Sequence, residues 1–201
     1  WGYIDQNGKV VVKPQFDIAN DFHEGLAAVA RNGRYGYIGK NGAYVIKPQF
    51  SVEGLNYNYS GKPRLFDFHE GLARVMISGK YGYIDKTGKT VISPTFDTRN
   101  QTGDYATDFS DGLAMVRIGY RFGYIDKTGK MVIPAQFDEA ESFSEGLARV
   151  RVKGKDGFID KTGTWVISPQ FSHARSFQDG LALVTPDGSN DQIYIDKKGN
   201  Y

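Results

Sequence analysis

Apolar and polar positions alternate in short bursts along this chain, and the same bursts return. "YGYIDKTGKTVISPTFD" at 81–97 recurs as "YGYIGKNGAYVIKPQF" from Tyr35 and "FGYIDKTGKMVIPAQFD" from Phe122. Within the burst, "YGYID" reads as a strand, with Gly82 and Ile84 on one face and Tyr81, Tyr83 and Asp85 on the other. "DKTGK" then supplies an acidic turn starter and a glycine for the left-handed residue of a three-residue hairpin loop. "TVIS" makes the next strand, and Pro94, lacking an amide donor, is expected to end it. Upstream, "GLARV" followed by a glycine turn such as Ser78-Gly79 reads as the preceding strand of the same meander. No stretch holds a 3.6-residue period, so the pattern predicts an all-β protein with little helix.

The repetition is regular. Gly-aromatic-Ile words end at residues 5, 39, 85, 126 and 160, with a worn copy ending at 196, giving steps of 34 to 46 residues. A second word, Phe-x-(Asp/Glu)-Gly-Leu-Ala, begins at Phe22, Phe68, Phe109, Phe143 and Phe177. In four units its glycine lies 11 residues before the next Gly-aromatic-Ile glycine. A period of this size marks units that cannot bury their own apolar faces and must stack. The expected architecture is a single array over 1–201, with units starting near 1, 22, 68, 109, 143 and 177, each a three-stranded antiparallel meander. An open, twisted β-solenoid is the first expectation and a propeller-like or barrel-like closure the second, because six Gly-aromatic-Ile words face five copies of each other strand. Both ends read as cut from a longer array. Phe16, Phe50, Phe96, Phe137 and Phe171, with the five phenylalanines of the second word, are the expected glue. The glycines at 2, 36, 82, 123 and 157 are expected where a ring or backbone approaches closely.

These words, among them "WGYIDQNGKVVVKPQFD" from Trp1 and "FSEGLARV" from Phe143, resemble WG repeats, although only Trp1-Gly2 is literal and Tyr or Phe precedes glycine in most units. The resemblance implies a β array, common in bacterial and often in exported proteins, and no defined activity.

Composition narrows the chemistry. Lys plus Arg is 25 and Asp plus Glu 23 in 201 residues, too balanced for an electrostatic nucleic-acid binder. The turn lysines 86, 89, 127, 130 and 161 alternate with Asp85, Asp126 and Asp160, which reads as a solvated edge. There is no cysteine, no run long enough to span a membrane, and no phosphate-binding or nucleophile-elbow motif, so no catalytic residue, cofactor or metal site is expected. His23 and His69 share one repeat position with Ser110, Ser144 and Gln178, which reads as a tolerant turn site. The acids before glycine (Glu24, Glu70, Asp111, Glu145, Asp179) are expected to bond backbone donors at their turns. "DGSND" from Asp187 reads as a lengthened hairpin turn, and Asn58 and Asn100 head glycosylation-type triplets.

Function is sought where the units differ. The connection from the Pro-x-Phe phenylalanine to the next acid-glycine pair grows by 12 residues after Phe50 and by 7 after Phe96, at the same place in consecutive units. Equivalent loops of adjacent repeats are expected on one face. They offer Tyr57, Tyr59, Lys62 and Arg64, then Arg99, Asn100 and Tyr105, rigid aromatic and guanidinium chemistry suited to a protein partner or another domain of the same polypeptide. An ordinary solvated loop is the alternative. A second reading is glycan or cell-wall binding through an outward ladder of Tyr37, Tyr83 and Tyr124, set against packing of those rings on the next unit.

Overall fold

The computed structural model describes residues 1–53, 55, 63–97 and 106–201, and among them every regular element is a β-strand. The chain divides into two compact units, Trp1–Arg99 and Asn100–Tyr201.

In the first unit β1 (Tyr3–Ile4) and β2 (Val10–Val12) form a two-stranded sheet. A four-stranded meander follows: β3 (Ile18–His23), β4 (Leu26–Arg31), β5 (Arg34–Gly39) and β6 (Tyr44–Ser51). A second comprises β7 (Phe68–His69), β8 (Leu72–Ile77), β9 (Lys80–Asp85) and β10 (Thr90–Asp97). In the second unit β11 (Leu113–Ile118), β12 (Arg121–Asp126) and β13 (Met131–Phe137) make a three-stranded meander. The last sheet holds six strands: β14 (Glu139–Ala140), β15 (Ala148–Val152), β16 (Lys155–Ile159), β17 (Trp165–Ala174), β18 (Leu181–Pro186) and β19 (Ile193–Asp196). Among the described residues all strand pairings are antiparallel and no sheet closes on itself. The three expected strands are present in each full repeat; the Phe-x-acid word adds a strand in front of them at 22–23 and 68–69 and an isolated bridge at Ser110, Ser144 and Gln178.

Two local devices shape every meander. The first is the acid-glycine hairpin. Glu24 and Gly25 both have positive φ (50° and 89°), as do the corresponding pairs at 70–71, 111–112, 145–146 and 179–180. Two successive left-handed residues make the two-residue turn whose twist matches antiparallel strands. The second device is a bulge in the proline-bearing strand. Tyr37 pairs with Ile46 and Tyr35 with Phe50, so four residues of β6 span two of β5. The same shift separates Ile92 from Phe96, Ile133 from Phe137 and Ile167 from Phe171. Pro48, Pro94, Pro134 and Pro169 sit in these bulges, where a missing amide costs no ladder bond. The expectation that Pro94 ends its strand is therefore corrected: β10 runs through it to Asp97. β17 uses the same passage to join two repeats, pairing with β16 on both sides of the bulge, through Ile167 and Phe171, and with β18 from Phe171 onward.

The bulge also explains the glycine between aromatics. A Cβ on Gly36 would lie 2.3 Å from the Ile46 carbonyl oxygen, and one on Gly123 would lie 2.5 Å from that of Ile133. Gly2, Gly82 and Gly157 meet Val12, Ile92 and Ile167 in the same way. The close neighbour is backbone of the next strand, not a ring.

Both faces that the alternation assigns to the Gly-aromatic-Ile strand are covered: Tyr81, Tyr83 and Ile84 are all buried, as are Tyr35, Tyr37 and Ile38. It is a central strand covered on both sides. Eight of the ten recurrent phenylalanines are buried, while Phe22 and Phe96 are half-buried. Each buried ring contributes about 1.5–3 kcal/mol of transfer free energy.

Candidate interaction site

The side chains that recur in every unit meet at the joints between repeats. Tyr37 stands edge-on to Phe68, Tyr124 to Phe143 and Phe158 to Phe177, each with centroids 4.8 Å apart and planes near 62–63°. In each case the first ring belongs to one repeat and the phenylalanine to the next. The Tyr37 hydroxyl donates to the Phe66 carbonyl at 2.8 Å and that of Tyr124 to the Glu141 carbonyl at 2.7 Å. Burial pushes the Tyr124 hydroxyl's pKa far up, with the Glu141 charge adding to it. Tyr37, Tyr83 and Tyr124 have no exposed surface, which overturns the outward tyrosine ladder and with it the glycan reading built on those rings.

The acid of each hairpin works across the same joint. Glu24 accepts from the Gly71 amide at 2.9 Å, Asp111 from Gly146 at 2.7 Å and Glu145 from Gly180 at 3.0 Å. The donors are backbone amides, as expected, but of the following repeat rather than of the acid's own turn. A lysine from that following repeat completes the clasp. Lys86 reaches the Glu24 carbonyl (2.9 Å) and carboxylate (3.1 Å), and Lys197 does the same at Glu145 (2.9 and 3.0 Å). Lys161 reaches the Asp111 carbonyl at 3.1 Å. Lys86 and Lys161 thus bind a neighbour, where the sequence suggested a solvated edge. Burial opposes the charge of Glu24, yet the Lys86 and Gly71 hydrogen bonds hold its carboxyl below the ordinary range. The Lys197 hydrogen bond does so for Glu145. A left-handed residue with a side chain costs roughly 1–2 kcal/mol, and here the carboxylate it carries supplies the clasp.

The serine and histidine position is a joint too. Ser110 Oγ donates to the Phe143 carbonyl and Ser144 Oγ to that of Phe177, both at 2.7 Å. His23 and His69 stack with centroids 5.7 Å apart, and His23 Nε2 lies 3.9 Å from Asp67. Among the described residues no three His, Cys, Asp or Glu side chains group as metal ligands. Asp187 of the long turn pairs with Lys155, while Ser189 Oγ accepts from the Asp191 amide.

One polar centre escaped the sequence reading. Asp156, fully buried, replaces the aromatic residue before glycine in its repeat. Its carboxylate accepts from Arg149 Nη2 at 3.0 Å, Arg151 Nη1 at 3.1 Å and the Ala174 amide at 2.8 Å. Arg149 Nε lies 3.0 Å from Oδ2, too bent for a hydrogen bond but close enough to pair. Arg149 also contacts Glu139 (3.1 Å) and Glu141 (3.3 Å), and Ser176 Oγ donates to Glu141. Burial lowers the Arg149 pKa, but Asp156, Glu141 and Glu139 outweigh it and leave it raised. The signal lay in the aligned words. Arg74, at the position of Arg149, stacks over Phe66 (4.3 Å) and over Tyr81 (4.9 Å), which stands where Asp156 does. The arginine is kept in both, with a ring as partner in one and a carboxylate in the other. Every charge of the Asp156 centre is matched by neighbours, so the cluster ties β15, β16 and β17 together.

Of the residues expected at a partner face, Arg64 is exposed. Tyr57, Tyr59, Lys62, Arg99, Asn100 and Tyr105 lie outside the described residues, as do Asn58 and the stretches 56–62 and 98–105 that hold them. Their margins are anchored. Leu55, Leu65 and Phe66 are buried, and Phe66 offers the carbonyl bound by Tyr37. After the second enlargement, Ala106 is buried and bridges Val116, while Thr107 exchanges bonds with Met115 at 3.0 Å.

An all-β chain whose recurrent side chains join one meander to the next is a tandem β-repeat protein. The model of the WG containing repeat matches residues 1–35, 35–52, 63–81, 81–121, 122–155 and 157–188, and the chain belongs to that family. No curated protein matches it. Among solved structures, that of a eukaryotic initiation factor aligns with 99% of this chain and 59% of its own, at 15% identity and a TM-score of 0.55. KlHsv2 with loop 6CD replaced by a Gly-Ser linker aligns with 89% of this chain and 61% of its own, at 8% identity and a TM-score of 0.46. The first likeness is one of fold. The chain spans about three fifths of the length of either structure.

Proposed function

We propose that this chain is a non-catalytic interaction scaffold whose contact face is formed by the enlarged connections of two consecutive repeats. The observation that carries the reading is where the extra residues fall. The recurrent acids, lysines and rings are spent on joints, whereas both enlargements enter between anchored margins, leaving the meanders around them regular. A repeat frame of this kind tolerates variation in its loops without loss of the core. The tyrosines and arginines at 57, 59, 64, 99 and 105 then supply contact area, with Lys62 and Asn100 as polar contacts. The partner is a protein or another domain of the same polypeptide. Replacing Tyr57, Tyr59 and Arg64 together by Ala is expected to weaken partner capture tenfold or more, while the thermal melt stays within a degree or two. Unchanged capture by a folded triple variant would remove the basis for the reading.

A further inference from the structure

Three Asn-Gly pairs occupy hairpin turns of the first unit: Asn7-Gly8, Asn32-Gly33 and Asn41-Gly42. Each pair holds a nucleophile and an electrophile side by side. The glycine amide nitrogen can close a ring on the asparagine side-chain carbonyl carbon, and glycine puts no Cβ in the way. Folding treats the three pairs differently. The Gly8 amide donates to the Asp5 carbonyl at 3.0 Å and the Gly42 amide to the Gly39 carbonyl at 2.9 Å. Asn41 is held further, because its Oδ1 accepts from the Ala43 amide at 3.0 Å. The Gly33 amide and the Asn32 carboxamide bond nothing among the described residues.

The reason is the turn. Asn32 and Gly33 are the two central residues of the β4–β5 hairpin, both left-handed (φ of 53° and 74°), with Arg31 opposite Arg34. In a two-residue turn of this kind the ladder closes through the flanking pair, so the second central amide points out to water. In the longer loops at Gly8 and Gly42 that amide closes the turn itself. Charge adds to the difference. Arg31 and Arg34 flank the pair, Arg34 being anchored on the Gln49 carbonyl at 2.9 Å. Their positive field favours the amide anion and the oxyanion that form as the ring closes. The Asp17 carboxylate, which accepts from the Asn32 amide at 2.8 Å, opposes them in part. The equivalent turns at Ser78-Gly79 and Lys153-Gly154 carry no carboxamide.

We propose that Asn32 is a self-modification site, at which the folded chain converts its own Asn-Gly pair to aspartate and isoaspartate without an enzyme. The Gly33 amide gives up its proton to solvent base, and its nitrogen bonds to the Asn32 side-chain carbonyl carbon. The bond from that carbon to the carboxamide nitrogen breaks, and the nitrogen leaves as ammonia. Water then opens the cyclic imide. Attack at the side-chain carbonyl yields aspartate, and attack at the main-chain carbonyl yields isoaspartate. One water enters and one ammonia leaves, with no change of oxidation state. Ring closure turns the Asn32–Gly33 peptide at the cost of one bond, from the Val52 amide to the Gly33 carbonyl at 3.0 Å. Aspartate accepts the left-handed turn as asparagine does. Isoaspartate adds a carbon to the main chain of a two-residue loop, which spoils the Arg31–Arg34 register and loosens the Val52 segment tied to it. The site does not depend on the contact face proposed above, so either can fail while the other stands.

The test incubates the intact chain at several pH values around and above neutrality. Released ammonia is measured, and peptide mapping follows the amide-to-acid mass shift at each asparagine. Conversion at Asn32 is expected to run roughly tenfold faster than at Asn7 and Asn41, the factor that one hydrogen bond is worth. Its rate should rise in proportion to hydroxide. In concentrated urea the three pairs should react alike, because only folding separates them. Asn32→Ser should abolish the fast phase and, since serine serves the same turn at Ser78, leave the melt unchanged. Asn32→Asp should melt with the parent, and chain enriched in isoaspartate should melt below both. Equal rates at the three sites in the folded chain, faster conversion at Asn7 or Asn41, or no conversion at Asn32 without urea would each overturn the proposal.

Discussion

At the scale of single residues, glycine before an aromatic and aspartate in place of an aromatic carry the most information. Gly157 faces the Ile167 carbonyl oxygen, which an added Cβ would approach to 2.7 Å, and a backbone oxygen cannot swing away as a side-chain end can. Gly157→Ala is expected to destabilise by about 1–3 kcal/mol, the range for overpacking, read from urea unfolding. The need for glycine was legible from its recurrence, but the group it admits was not, because the bulge that brings the carbonyl in arises from pairing. Asp156 makes a sharper test. Asp156→Ala leaves Arg149 buried without its main partner and should cost about 3–5 kcal/mol. Asp156→Tyr recreates the pairing of Arg74 with Tyr81 and should cost distinctly less in the same melts. Equal losses would show that the arginine does not accept either partner.

At the scale of elements, hairpins and strands followed local chemistry closely. The Asp-Lys-Thr-Gly-Lys loops form as their residues require. Asp85 Oδ1 accepts from the Thr87 amide (2.9 Å) and hydroxyl (2.6 Å) and from the Lys89 amide (3.1 Å), and Gly88 has φ of 87°. One loop lacks this cap. Gly39 stands where the others have aspartate, its φ is not left-handed, and only the ends of Asn41 and Val45 lie near a Cβ there. Gly39→Asp is expected to stabilise by roughly 0.5–1 kcal/mol, by adding an acceptor for the Asn41 amide and reducing unfolded-chain freedom, since the Ala43 amide is already bonded to Asn41 Oδ1. A lowered thermal midpoint would contradict this account of the cap. Proline was misread at this scale for a definable reason. A missing amide ends a regular ladder, but a bulge leaves an amide unpaired anyway, and β6, β10, β13 and β17 pass through their prolines by that means.

Within each compact unit, the joints link stability to pH. Thr87 and Thr128 hydroxyls lower the carboxyls of Asp85 and Asp126, Thr162 that of Asp160 and the Asn200 side chain that of Asp196. Glu24 and Glu145 are lowered across the joints. A carboxyl lowered by folding contributes stability that is complete above its unfolded pKa and is lost as pH falls through its folded value. The thermal midpoint should therefore hold level from neutral pH down to about 5. It should then fall below about pH 4, where unfolded carboxyls begin to bind protons. A midpoint that rises on acidification would refute the clasp as a source of stability. The candidate contact face was legible as a difference in spacing, at Phe50 to Gly71 and Phe96 to Gly112. The Asp156 centre was not, because it requires knowing which side chains of β15, β16 and β17 meet.

The words themselves were enough to establish β-strands, hairpin turns, the repeat and the stacking of one unit on the next. Each follows from alternation, turn chemistry and a period too short for an independent core. The partners across each joint were decided only by tertiary structure. The acid of one hairpin and the glycine amide that binds it are 35 to 47 residues apart, and the lysine that joins them 50 to 62. No local pattern spans such distances. Stacking the units brings those three groups to a single place, and it is likewise what buries Tyr37 and Tyr124.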